Sequence, residues 1–267
     1  MDHRPIGVFD SGLGGLTAVM ALRRLMPDES IVYFGDTARM PYGVRSAGEL
    51  RIMARQDMEL LERHGVKAIL AACGTVSSTV RDVLNSFPLP VFNVVDAPVE
   101  AMAAVPGDAP LGIIATDTSI KSGVFAAKLS KLCPGREIIP LPCQDFVKLI
   151  ESGHTKAEDE LVRECVERSL APLKGRGIAS LLLGCTHFGF LSDAIGQYLG
   201  RDVRLVSASE CAAGKVAEYI GSHSLNGSGG QISFLTSGDR QIFVELSSAL
   251  LGEDTDASTA HIAPMEV

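Results

Sequence analysis

Basic residues are scarce beside acidic ones: 24 Lys and Arg stand against 32 Asp and Glu, giving a net charge of −8 over 267 residues. That balance argues against a partner with a phosphate backbone, because such affinity comes from cations neutralising phosphates. No nucleic-acid partner is expected. Long apolar runs are also missing. None is long enough to span a bilayer, and the start, Met1-Asp2-His3-Arg4-Pro5, has no apolar core of a secretory signal before the strand-like Ile6-Gly7-Val8-Phe9. The expectation is a cytoplasmic protein with no membrane partner. Among the six cysteines (Cys73, Cys133, Cys143, Cys165, Cys185, Cys211) no pair has the Cys-x-x-Cys spacing of a zinc or redox site. With 46% hydrophobic residues and no secretion signal, the chain needs no disulfide staples, so free thiols and no metal are expected. The glycine-rich Ser11-Gly12-Leu13-Gly14-Gly15 is neither Gly-x-Gly-x-x-Gly nor a Walker sequence with its lysine.

What is present is alternation. Ile6–Phe9, Ile31–Phe34, Val66–Ala72, Val91–Val95 and Leu111–Ala115 read as strands, followed by Glu137–Pro140, Ile178–Leu183, Arg204–Val206 and Gln231–Leu235. Helical spacing links them. Leu16, Val19, Met20, Leu22 and Met26 form one apolar face, and Val76, Val80, Val83 and Leu84 another, stopped at Ser86-Phe87-Pro88. Further helices are expected at Ser119–Leu132, Gln144–Glu151, Ala157–Lys174, Leu191–Tyr198 and Glu210–Ser222. A βαβα order predicts an α/β fold with parallel sheets covered by helices. The length suits two domains. Crossings are placed near 96–110 and 206–215, giving a first domain of 1–97 plus about 207–267 and a second of 98–206. The polar tail from Gly252 to Val267 is expected to fray.

Two turns stand out. Cys73 closes the run Val66–Ala72 and is followed by Gly74-Thr75; Cys185 closes Ile178–Gly184 and is followed by Thr186-His187. Each is an apolar strand delivering a thiol and a hydroxyl to a helix start, where unpaired N–H groups favour an anion and lower a thiol's pKa. One such cysteine is as readily a small buried hydrophobe. Two placed alike can face each other across one substrate, an arrangement for moving a proton. In open α/β sheets ligands bind beyond the carboxyl ends of strands. Asp10-Ser11, the stretch Asp36 to Gly43, and both cysteine turns all fall there. His187, two residues past Cys185, is placed to hold or relay its proton. No lysine lies beside these motifs to suggest a Schiff base.

The string Ile6-Gly7-Val8-Phe9-Asp10-Ser11-Gly12-Leu13-Gly14-Gly15-Leu16-Thr17 resembles the opening of bacterial glutamate racemases, of the aspartate/glutamate racemase superfamily. Tyr33-Phe34-Gly35-Asp36-Thr37-Ala38-Arg39-Met40-Pro41-Tyr42-Gly43, the Ala72-Cys73 turn, Leu183-Gly184-Cys185-Thr186-His187 and Phe234-Leu235-Thr236-Ser237-Gly238-Asp239 extend the resemblance to about Phe243. It implies two similar Rossmann-like or flavodoxin-like α/β domains with mostly parallel sheets and an active site in the cleft between them. It implies racemisation of glutamate for peptidoglycan synthesis with no cofactor, and a homodimer. By this resemblance Cys73 and Cys185 are the two bases, Asp10 assists Cys73, His187 assists Cys185, and Glu151 is a further auxiliary carboxylate. Asp10, Ser11, Tyr42, Gly43, Gly74, Thr75, Thr186 and His187 are the implied substrate-binding positions. Family members activated by a cell-wall precursor carry longer N-terminal extensions, so constitutive activity is expected here.

The chain departs from the family pattern at three places. Gly74 stands where the family usually has Asn; losing such a hydrogen-bonding group costs ~1–3 kcal/mol when its partner stays buried. Phe188-Gly189-Phe190 replaces an aromatic followed by Pro, and Val206-Ser207-Ala208-Ser209-Glu210 lacks a common acidic residue. Two alternatives therefore stand beside glutamate racemisation: a related two-cysteine enzyme acting on aspartate or another diacid, and a binding protein that has lost catalysis.

Overall fold

The structure, a computed structural model, describes residues 2–265. Among the described residues, ten strands form two sheets. The first contains β1 (Ile6–Asp10), β2 (Ile31–Gly35), β3 (Ala68–Ala71), β4 (Val91–Asn93), β9 (Ile232–Thr236) and β10 (Ala257–Thr259), in the order β10-β9-β2-β1-β3-β4. The second contains β5 (Leu111–Ala115), β6 (Ile138–Pro142), β7 (Ser180–Leu183) and β8 (Arg204–Ser207), in the order β6-β5-β7-β8. Every pairing between these strands is parallel, with Ile6 opposite both Ile31 and Ala68, and Leu111 opposite both Ile138 and Ser180. Strands covered by helices on both faces need apolar residues throughout. β1, β2, β3, β5 and β7 accordingly have no exposed position. The fold is a two-domain α/β architecture.

The two sheets share one plan. In each, the first strand lies between the second and the third, so the strand order reverses beside the first strand. Such a reversal splays the flanking connections and opens a crevice at the strands' carboxyl ends. In the first lobe that crevice lies between β1, ending at Asp10, and β3, leading to Cys73. In the second it lies between β5, leading to Thr116, and β7, leading to Cys185. The helix Leu16–Leu25 packs on the helix Ala208–Ser222, which carries the chain back from the second sheet to the first.

Several elements differ from expectation, each for a local reason. The helix expected over 119–132 is broken by Gly123 at φ 68°, giving Asp117–Lys121 and Val124–Leu132. The one expected over 157–174 is helical from Glu160 to Leu170, where Asp159 caps its start by accepting from the Leu161 N–H. β4 stops at Asn93 because that side chain accepts from the N–H groups of Val95 and Asp96 and turns the chain. The helix after Cys73 breaks at Val80, and a short 3₁₀ turn, Thr186–Leu191, follows Cys185. Met20 is 44% exposed and does not join the buried face of its helix. The tail does not fray as a whole: the helix Arg240–Leu251 leads to β10, which pairs with β9 through Ala257 to Thr259. The last two residues of that expectation lie outside the described residues.

Candidate active site

Both cysteine turns, brought by strands of different sheets, line one cleft with Asp10, Ser11, Tyr42, Gly43, Gly74, Thr75, Glu151, Thr186 and His187. All eleven positions singled out in the sequence therefore meet. The pocket is narrow, about 40 Å³. That volume holds roughly three waters.

Cys73 and Cys185 each occupy the last extended position before a helical turn, with ψ of 116° and 137°. Cys185 Sγ lies 3.7 Å from His187 Nδ1, and His187 Nε2 lies 3.2 Å from Glu151 Oε1. The sulfur, the imidazole and the carboxylate thus form one line into the second lobe. Burial alone would push the His187 pKa down. Its hydrogen bonds to Cys185 and Glu151, with the charge of Asp10, outweigh that and hold the imidazole well above its ordinary range.

Cys73 is in a different setting. Burial, with the nearby Asp10 carboxylate, pushes its pKa up to about 12. Its Sγ contacts the Ser11 hydroxyl at 3.8 Å, and that hydroxyl donates to Asp10 Oδ1 at 3.2 Å. Asp10 therefore reaches Cys73 through Ser11. Asp10 also accepts from the Gly12 N–H at 2.9 Å and, across the cleft, from the Thr186 hydroxyl at 3.1 Å. Burial raises its pKa, partly offset by the His187 charge.

The remaining wall comes from the loop after β2 and from the second lobe. Tyr42 donates its hydroxyl to both Asp36 and Asp57, and Arg39 bridges the same two carboxylates. The Tyr42 hydroxyl is thus committed within the first lobe, leaving backbone and ring to the cleft. Burial, then the Asp36 charge, hold the Asp57 carboxyl well above its usual range. The helix Gln144–Glu151 presents Gln144, Val147 and Glu151 to the pocket at helical spacing. Met40 and Pro41, within the stretch Asp36 to Gly43, complete the lining with Thr116, Gln144 and Val147, which were not singled out in the sequence. Thr116, following β5 as Asp10 closes β1, was findable from its strand end alone.

Residues 17–216 match the Asp/Glu/hydantoin racemase family. The chain belongs to that family. It is an isomerase of the racemase type. It is 34% identical to glutamate racemase 2 of Caldanaerobacter subterraneus subsp. tengcongensis, over 96% of either chain. Its fold is similar to glutamate racemase RacE1 of Bacillus anthracis (TM-score 0.89, 29% identity, 98% of both chains). It is also similar to the glutamate racemase of Francisella tularensis solved with D-glutamate (TM-score 0.86, 31% identity, 98% of both chains). Two departures from the racemase pattern have local consequences. Ser207 stands in the segment lacking the acidic residue, and it still caps the helix Ala208–Ser222 by accepting from the Glu210 N–H at 3.3 Å. At Gly74 a β-carbon would sit 3.1 Å from the Gly184 carbonyl oxygen, so the two cysteine turns approach closely there.

Proposed function

We propose that this racemase interconverts L- and D-glutamate without a cofactor, with Cys73 and Cys185 as the two bases on opposite faces of the α-carbon. One sulfur, as thiolate, removes the α-proton; the other, as thiol, delivers a proton to the opposite face. The observation that carries this reading is the equivalent placement of the two thiols: each follows the third strand of a lobe with the same strand order, and both line one cleft. A cation beside an anionic sulfur stabilises it, and the protonated His187, backed by Glu151, is that cation for Cys185. Cys73, with its raised pKa, rests as the thiol and donor; in the reverse direction its proton passes toward Asp10 by way of Ser11. The carbanion that forms is far more basic than a thiolate, so fixed dipoles must stabilise it in a dry site. The N–H groups at Gly74-Thr75 and Thr186-His187, with Ser11 and the Tyr42-Gly43 backbone, supply those dipoles to the substrate's carboxylates and amino group.

The same reading gives the protein a role in supplying D-glutamate to peptidoglycan in the cytoplasm, as a homodimer. It divides the chain into 1–97 with about 207–267 and 98–206, a division supported by the separation of strands between the sheets. No helix among the described residues is long and apolar enough to cross a membrane. Gly74 favours one second reading, action on aspartate or another diacid, since it removes a side chain from the substrate's surroundings.

Proton exchange at Cα of L-glutamate in D₂O, followed by NMR together with formation of the D-enantiomer, tests the proposal. Wild type should exchange and racemise; Cys73→Ala and Cys185→Ala should each lose racemisation by at least ~1000-fold. A wild type silent on glutamate but active on aspartate would move the substrate. Full racemisation by either alanine variant would overturn the two-thiol mechanism.

A further inference from the structure

The cysteine turn of the second lobe is hydrogen-bonded to the first lobe. Thr17, one residue into the helix Leu16–Leu25, shares its one hydroxyl proton between two carbonyls and can accept from a second hydroxyl. These are the Gly14 carbonyl at 2.9 Å, the Thr186 carbonyl at 3.0 Å and the Ser209 hydroxyl at 2.6 Å. Thr17, Thr186 and Ser209 are 8%, 2% and 1% exposed, so these bonds form out of water's reach. The three residues come from three places: the first lobe, the cysteine turn of the second lobe, and the helix that returns the chain between them.

Close packing reinforces the same contact. A β-carbon on Gly14 would fall 2.2 Å from His187 Nδ1 and 2.7 Å from Thr186 Oγ1. One on Gly189 would fall 3.0 Å from Thr17 Cγ2. Backbone therefore lies against the His187 ring from one side and against the Thr17 methyl from the other. The start of this helix and the 3₁₀ turn Thr186–Leu191 fit as a tongue in a slot, a fit that a side chain at position 14 would break and one at 189 would crowd. Thr186 lies between Cys185 and His187: its carbonyl belongs to the peptide plane that carries His187, and its α-carbon is the next one after that of Cys185.

We propose that Thr17 is a positioning residue for Cys185 and His187: its hydroxyl, held by Ser209, clamps the Cys185-Thr186-His187 turn to the first lobe. Thr17 touches no reacting atom. The clamp makes this edge of the cleft the pivot, so the lobes part at the opposite edge while Cys185 keeps its distance to His187. This inference rests on the two-thiol reading above.

Thr17→Val keeps the branched shape and the methyl against Gly189 and removes only the hydroxyl; Thr17→Ser restores the hydroxyl. In Thr17→Val, kcat should fall at least about tenfold with KM within about twofold, and Thr17→Ser should regain most of the loss. The isotope effect on kcat/KM with α-deuterated substrate is the second readout. It should rise for the enantiomer deprotonated at Cys185 and fall toward unity for the other, because the Cys185 step alone has slowed. Equal changes in both directions, or wild-type rates, would overturn the clamp. A third readout needs no substrate: alkylation of the two thiols by iodoacetamide, resolved by peptide mass spectrometry. The Cys185-to-Cys73 rate ratio should rise at least about threefold in Thr17→Val as the turn loosens, and an unchanged ratio counts against the proposal. If Thr17→Val does not fold, Ser209→Ala must change the same ratio and isotope effects in the same directions, and wild-type behaviour there sinks the idea. A wild type inert on glutamate would overturn the substrate assignment, whereas the alkylation ratio judges the clamp alone.

Discussion

His187 joins the two halves of the site's electrostatics, and its protonation makes folding sensitive to pH. The folded protein binds the imidazole proton more tightly than the unfolded chain, because Cys185, Glu151 and Asp10 surround it. A group with a raised folded pKa stabilises the fold fully below its unfolded value, ~6.5 for imidazole, and loses that contribution as pH rises through the folded value. The stability advantage of wild type over His187→Gln should therefore be largest near about pH 6 and shrink by about pH 9. Urea titrations of both proteins across that range measure it, and an advantage independent of pH would refute the assignment. At this scale much was legible: Cys73, Cys185, Asp10 and His187 fall at strand ends followed by helix starts, a pattern written in consecutive residues. Thr17 and Ser209 were not. They are 192 residues apart, and nothing near either one reveals that lobe packing brings their hydroxyls together.

Among the elements, the helix Ala47–Arg63 acts as an anchor for the cleft wall. Its start is secured by a capping box, in which Ser46 and Glu49 satisfy each other's backbone N–H groups. Asp57 lies on its buried face beside Met53, Ala54, Met58 and Leu61. A carboxylate on an apolar stripe requires a partner there, and the partners are Tyr42 and Arg39 of the loop that borders the pocket. Tyr42→Phe removes the one hydroxyl shared by two buried carboxylates. It should lower stability by ~1–3 kcal/mol, the cost of leaving a buried polar group unsatisfied. It should also raise KM about fivefold through the slackened Tyr42-Gly43 backbone. Denaturant midpoints and steady-state kinetics check both; an unchanged midpoint would mean the loop holds without the network. The strands were legible because strands buried on both faces are continuous apolar runs. β10 was not, because Ala257-Ser258-Thr259 is small and polar and pairs only through its backbone at a sheet edge.

For the molecule as a whole, hydroxyls carry the contacts across the cleft. Thr118 of the second lobe donates to the Gly43 carbonyl of the first, Ser78 meets Ser119 at 3.4 Å, and Thr186 reaches Asp10. The neutral bonds among these contribute ~0.5–1.5 kcal/mol each and the one to the Asp10 carboxylate ~1.5–3 kcal/mol, enough to favour closure and too little to prevent opening. The pocket, about 40 Å³, is small beside a diacid of the proposed kind, so opening of the cleft is expected on binding. Thr118→Val should weaken the closed state and raise KM about threefold to tenfold. Hydrogen exchange at residues 40–44 should also become faster, and should slow again when D-glutamate is added. Exchange identical to wild type would show that this contact does not hold the mouth shut. The two-lobe plan was visible in the sequence as a pair of similar cysteine turns, whereas the shared strand order emerged only with the sheets.

The separation of β9 from the rest of its sheet sets the order in which the two sheets can be completed during synthesis. The second sheet is complete once residue 207 has been synthesised, because all four of its strands lie between 111 and 207. The first is not: β2 pairs on one side with β9, whose residues Ile232–Thr236 come more than a hundred positions after β4. Until they emerge from the ribosome, β2 presents a bare row of N–H and C=O groups on a flat apolar strand, the kind of edge that recruits other chains. The segment carrying β9 and β10, translated last, is thus a shield for the strands translated first. A nascent chain stalled before Ile232 would carry a finished second lobe and an aggregation-prone first one.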